Sequence, residues 1–378
     1  MPHFIRRLPG FLRSQLREHA TLSLAFTAIF AFSIAPLVAA EAGKGTLDLL
    51  VRGSHVEGMP LVWSERQVEL LARDGRLWSF APDEAKQARQ ISPSFRGYSA
   101  AQLRSRLSRE LGKSFEISGT GHYLVAHAPG QKDYWSRRFE DLYRSFVHYF
   151  SVRGFNLTDP EFPLVAIVFR NQQDFLRYAE QDGAKISAQV LGYYSPVSNR
   201  VSLFDIGGGK ASADDWHFNA DTIIHEATHQ TAFNTGVHTR FGETPRWVAE
   251  GLGTMFEAKG VWDSTHASSR ADRLNRGRLA RFKNFVSRRP AGSLAEFISS
   301  DQVFRVDPDA AYAEAWALSF FLVETRPRKY SEYLSRTAKR PAFRAYPAAE
   351  RLADFTAVFG SDLRLLESHY LKFMDEVR

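Results

Sequence analysis

The chain has no cysteine among its 378 residues, which removes disulfides, thiolate metal ligands, a cysteine nucleophile and lipid attachment at cysteine together. Stability must come from burial, and any metal must be held by histidine or carboxylate. Long apolar runs are confined to residues 22–40, so no later segment reads as a membrane span. Neither an internal repeat nor a long low-complexity segment is present. Charge of one sign is scarce as well. The net +7 falls to +4 once residues 1–40, with four Arg and one Glu, are set aside (7 − 3). So small an excess, on a chain that reads as exported, makes nucleic acid a poor partner.

The first 40 residues are a separate object. Arg6, Arg7, Arg13 and Arg17 make a basic start, an apolar run from Leu22 to Ala40 follows, and Val38-Ala39-Ala40 before Glu41 is a small-residue cleavage site. This order reads as a bacterial signal peptide and implies a periplasmic or extracellular protein. The alternative is an uncleaved N-terminal anchor, against which Ser23, Thr27, Ser33 and Pro36 weigh. With 44% hydrophobic and 13% aromatic residues, the remainder holds enough apolar material for a large core.

Residues 41–92 read as a small β-rich module. Two strands, 68–72 and 77–80, flank Asp74-Gly75, which predicts a hairpin with a type I′ turn. From 93 the pattern turns to alternating helices and strands. Helices are predicted at 100–111, 134–152 and 172–181, strands at 122–126 and 164–169, and a hairpin at 190–205 whose sheet edge offers an extended substrate main-chain pairing. Gly207-Gly208-Gly209 reads as a loop, and from 262 onward the chain is mainly helical.

The informative motif is Ile224-His225-Glu226-Ala227-Thr228-His229, an H-E-x-x-H arrangement on a predicted helix. With 12 His and 22 Glu in the chain, chance would supply it only about 0.02 times. Histidines four apart lie about 40° apart around a helix and about 6 Å along it, so both imidazoles reach one ion from one face. Two imidazoles, a third protein ligand and a water make a catalytic zinc site, with the glutamate placed to take a proton from the water. Asn219 or Asp221 is the expected cap of this helix, and Asn234-Thr235-Gly236 its end.

A second helix is predicted from Thr244 as N-cap with Pro245 in its first position. Its apolar side, built from Trp247, Val248, Leu252, Met255 and Phe256, is interrupted by Glu250. A carboxylate in such company is expensive unless paired or bound to metal, which makes Glu250 the expected third ligand. Glu257, two turns further on, reads as a surface residue. Gly251 and Gly253 imply close packing against the first helix.

These residues resemble the gluzincins, whose zinc is held by H-E-x-x-H and a glutamate on a following helix. Trp247-Val248-Ala249-Glu250-Gly251 looks like their tryptophan-x-x-glutamate-glycine form. More narrowly, Leu191-Gly192-Tyr193-Tyr194, His225 to Gln230, Ala232 to Gly236 and Trp247 to Gly251 are similar to an uncharacterised bacterial family, domain of unknown function 1570. The similarity covers 161–257 and, more loosely, the helix around Tyr312. It implies one zinc per chain and an α+β fold. A zincin-like domain over 93–378 would comprise an α/β part (93–215), metal-site helices (216–260) and a helical part (261–378). Thermolysin-like members carry an aspartate four residues after the ligand glutamate to orient a histidine. Here that place holds Thr254, so orientation falls to Asp221 or a backbone carbonyl. The Gly-x-Met-Glu-Asn exopeptidase motif is absent too.

The expectation is therefore an exported zinc hydrolase acting on peptide or protein, with His225, His229 and Glu250 as ligands and Glu226 as general base. Tyr312 and His238 are the candidate donors to the oxyanion, although a core tyrosine and a surface histidine are the plainer readings of both. The alternative is a catalytically silent zinc-bearing envelope binding or assembly protein. The basic segment 270–289 reads as a solvated helix face, or else as a docking surface for an anionic envelope polymer.

Overall fold

The computed structural model describes residues 45–131, 134–207, 215–263 and 269–378, and of residues 215–219 the backbone alone. The leader, Gly208, Gly209 and the side chain of Asn219 lie outside the described residues. The described chain is α+β and divides into two compact units between Gly97 and Tyr98.

The first unit is an antiparallel sheet of β1 (Thr46–Val51), β2 (Ser54–Trp63), β3 (Val68–Ala72), β4 (Leu77–Phe80) and β5 (Ala85–Ser92), in the order β4-β3-β2-β1-β5. Leu49, Val51, Val68, Leu70 and Phe80 form its core. The hairpin expected at Asp74-Gly75 is present, but its turn is not type I′. Gly75 alone has positive φ (+86°), and its N–H donates to Ala72 O at 2.9 Å while Ala72 N–H donates to Arg76 O at 2.8 Å. That is a three-residue loop ending in a left-handed glycine, one residue longer than the dipeptide signal implies.

The second unit holds the sheet β6 (Glu116–Gly119), β7 (Tyr123–His127), β8 (Leu164–Phe169), β9 (Gly192–Ser195) and β10 (Arg200–Phe204), in the order β6-β7-β8-β10-β9. The pairings of β8 with β7 and β10 are parallel and the outer two antiparallel. As the central strand, β8 is apolar on both faces, and its period of two divides it between cores. Val165, Ile167 and Phe169 pack with α1 (Ala100–Leu111) and α3 (Gln172–Gln181), whereas Leu164, Ala166 and Val168 pack with α2 (Tyr134–Ser151) and α4 (Asp215–Asn234). The helix carrying the H-E-x-x-H run thus lies on one sheet face. Its start at Asp215 corrects the expected cap: Asn219 and Asp221 stand within the helix, the latter on its exposed side.

The remaining helices are α5 (Arg246–Phe256), α6 (Lys259–Trp262), α7 (Arg276–Phe285), α8 (Leu294–Ser299), α9 (Val303–Val306), α10 (Pro308–Thr325), α11 (Pro327–Ala338), α12 (Ala348–Phe359) and α13 (Leu363–Glu376). Helix α10 is buried from Ala311 to Val323, on all sides, and α5, α7, α9, α11 and α13 pack against it.

Candidate metal centre

Helix α4 is tied to the sheet by Gln230, whose Nε2 donates to Val165 O at 3.0 Å and to Asn199 O at 2.8 Å. This fixes both the rotation and the height of the helix, so that His225, Glu226 and His229 share one buried face. Helix α5 meets it from the other side. Thr244 does not cap α5. Pro245 occupies the cap position, and the Arg246 N–H is taken by Asp301 Oδ1 at 3.0 Å, a distant residue doing what the local sequence suggested of threonine. The two glycines of α5 serve different neighbours. A Cβ at Gly253 would lie 2.8 Å from the His225 ring, so its absence makes room for that imidazole, as packing against the first helix requires. A Cβ at Gly251 would instead stand 2.6 Å from Ala315 O of α10.

The arrangement brings three donor atoms together. His225 Nε2 lies 3.0 Å from His229 Nε2, and Glu250 Oε2 lies 3.3 Å from the first and 3.5 Å from the second. All three side chains are 2% exposed or less. Tetrahedral bonds of about 2.0–2.1 Å set ligand atoms about 3.3–3.4 Å apart, so the spacing fits a zinc-sized cation. The tautomer fits as well. His225 Nδ1 lies 2.9 Å from Glu257 Oε1, and donating there leaves Nε2 a bare lone pair facing the other two ligand atoms. Burial opposes the charge on Glu250, but the facing imidazoles of His225 and His229 and the Arg246 guanidinium hold its carboxyl well below the usual carboxylate range.

Glu257 is therefore no surface residue. Its Oε2 accepts from Asn275 Nδ2 at 2.8 Å, and Asn275 also donates to Thr254 O at 3.0 Å. This carboxylate orients His225, a role expected of Asp221 or a carbonyl. It stands three positions beyond Thr254, on the residue that closes α5.

Glu226 is buried, and its Oε2 accepts the Tyr194 N–H at 2.9 Å. Strand β9 is the sheet edge. The Phe204 N–H donates to Leu191 O, so with the two-residue alternation Gly192 and Tyr194 turn their backbone groups away from β10. The edge expected to receive substrate thus gives one of its outward N–H groups to Glu226.

Tyr312 is brought to the cluster, its ring centroid 6.5 Å from that of His225. Burial and the charge of Glu250 push its phenol well above the ordinary range, so it stays protonated. His238 is buried, not at the surface. It packs edge-on against Phe233 with centroids 5.2 Å apart, and among the described residues neither ring nitrogen has a side-chain hydrogen-bond partner. Burial, aided by the charge of His229, pushes its pKa down to about 3, so it is a neutral imidazole with one donor and one acceptor uncommitted.

Two residues of the site carry no sequence signal. Arg246 Nε approaches Glu250 Oε1 at 3.6 Å, and Arg278 Nη2 approaches Glu257 Oε1 at 3.7 Å with its Cζ 5.3 Å from the Tyr312 ring centroid. Arg278 belongs to the 270–289 stretch that reads as a solvated helix face, and Arg246 opens a helix read by its apolar side. Part of the basic segment around Arg278 turns inward, while Arg270, Arg276 and Arg288 stay exposed. Arg273 holds Glu324 with two bonds of 2.8 Å, Lys283 donates to Val377 O at 2.7 Å, and buried Arg289 bridges Glu314 and Glu367. A cavity of about 670 Å³ lined by Arg153, Phe155, Asn156, Gly236, Arg328 and Lys339 contains none of the metal-cluster residues.

Residues 219–344 match a family described as protein of unknown function (DUF1570). The matched segment contains all three candidate ligands, Glu226, Glu257, His238 and Tyr312. It begins after the β9–β10 hairpin, so the likeness noted upstream of 219 lies outside the matched span. No curated protein matches the chain.

Proposed function

We propose that residues 98–378 form a zinc-dependent hydrolase, a peptidase of gluzincin type acting on peptide or protein substrates. The convergence of His225, His229 and Glu250 carries this reading. Three lone-pair donors facing one another at 3.0–3.5 Å in a dry site repel unless a cation lies among them. Zinc held there supplies Lewis acidity, acidifying water and polarising a carbonyl. The protein's own part falls to Glu226. With Oε2 anchored by the Tyr194 N–H, its Oε1 accepts the proton of the attacking water and returns it to the leaving nitrogen. Tyr312, protonated, and His238, neutral, are the candidate donors to the oxyanion. A zinc-bearing binding protein would need the three ligands but gives the anchored Glu226 no task.

The test is a peptide-library digest by the purified protein beside Glu226→Gln. The variant keeps the size and most of the hydrogen bonding but cannot take the proton, so turnover should fall by about 100-fold or more with zinc retained. Comparable turnover in the variant would refute the mechanism. A zinc-loaded protein that cleaves nothing would favour the binding reading.

A further inference from the structure

Glu257 has both carboxylate oxygens engaged, whereas Oε1 of Glu250 has no hydrogen-bond partner among the described residues. Glu250 Oε2 faces two imidazoles, and Glu257 takes His225 on one oxygen and Asn275 on the other. Arg246 and Arg278 reach these carboxylates at 3.6 and 3.7 Å, beyond hydrogen-bond length, and the Arg246 guanidinium also interacts with the Tyr312 hydroxyl. The two cations flank one aromatic pair. Arg278 lies over the Tyr312 ring, Arg246 lies over the Phe304 ring at 4.8 Å, and these rings meet edge to face at 5.6 Å. The side chains of Arg278 and Arg246 keep 12% and 21% of their surface, against 0–2% for the ligand set. A guanidinium presents its N–H donors as a fixed fork matched to a carboxylate, and two forks around one phenol make a cradle for an anion.

We propose that Arg246 and Arg278 bind a carboxylate of the substrate beside the scissile bond, making the enzyme selective for acidic peptides. The proposal rests on the hydrolase reading for its setting. The carboxylate has two sources, a peptide's C-terminus or a Glu or Asp side chain.

The experiment uses the full chain carrying Glu226→Gln, supplemented with zinc and immobilised, so that peptides bind without being cut. Paired peptide pools are passed over it and enrichment is read by mass spectrometry. One arm compares free C-terminal carboxylates with amides, the other internal Glu with Gln. At least one arm should show about tenfold enrichment of the acid, the scale of a charge pair in a partly dry site. Adding Arg278→Gln should reduce that ratio below about twofold, and Arg278→Lys should keep part of it. Should Arg278→Gln not fold, raised ionic strength on the Glu226→Gln protein must erode the same ratio. No enrichment of the acid over its neutral counterpart in either arm, or a ratio indifferent to Arg278→Gln and to salt, overturns the proposal. Acid preference without cleavage by the unmutated protein supports the cradle and sinks the hydrolase. Cleavage without acid preference does the reverse.

Discussion

At His225 the two ring nitrogens have separate partners, Nδ1 on Glu257 and Nε2 on the ligand cluster, and the first fixes the second. Glu257→Ala should therefore lower zinc affinity by about 10- to 100-fold, the usual cost of losing a carboxylate behind a metal histidine. Competition with a chelating dye measures this, and unchanged affinity would return Glu257 to the surface role its sequence context suggests. His238 gives a different signature. Its folded-state pKa of about 3 lies below the ordinary 6.5, so the unfolded chain binds more protons between these values. Its contribution is fully present above pH 6.5, is lost as pH falls toward 3, and amounts to roughly 5 kcal/mol at most (3.5 units at 1.36 kcal/mol each). Urea midpoints at pH 7 and pH 5 should converge for His238→Phe relative to the unmutated protein. An equal acid loss in both would show that other groups carry it. His225, Glu226, His229 and Glu250 were legible because their chemistry is local or breaks an apolar pattern. Glu257, Arg246 and Arg278 were not, because a charged residue on a helix looks the same whether it faces water or a metal ligand across the fold.

Among the elements, α1 and α3 were readable to their ends, since Ser99 with Gln102 and Asn171 supply local caps. The start of α5 was not, because Asp301 supplies the cap from 55 residues away. The same contrast governs Gly251. Helix propensity alone says that Gly251→Ala stabilises α5 by up to about 1 kcal/mol. The backbone carbonyl of Ala315, 2.6 Å from the added carbon, forces α5 and α10 apart. The substitution should destabilise by about 1–3 kcal/mol in chemical denaturation, as overpacking does. A more stable protein would mean that this helix contact yields.

Across the whole molecule, the α+β class followed from the change of period along the chain, from two in the β-rich start to mixed and then helical patterns. The inward turn of the basic segment did not, since Arg273, Lys283 and Arg289 find their partners 51, 94 and 25 or 78 residues away. No helix among the described residues is long and apolar enough to cross a membrane. The second unit is built so that one helix from the sheet face and one from the helical part close on a single point. Metal content tests that most directly. Protein purified without chelator and measured by elemental mass spectrometry should carry about one zinc per chain, and His225→Ala, His229→Ala and Glu250→Ala should each lower occupancy sharply. A metal-free wild type that stays so when offered zinc, or a Glu250→Ala protein at full occupancy, would contradict the ligand set.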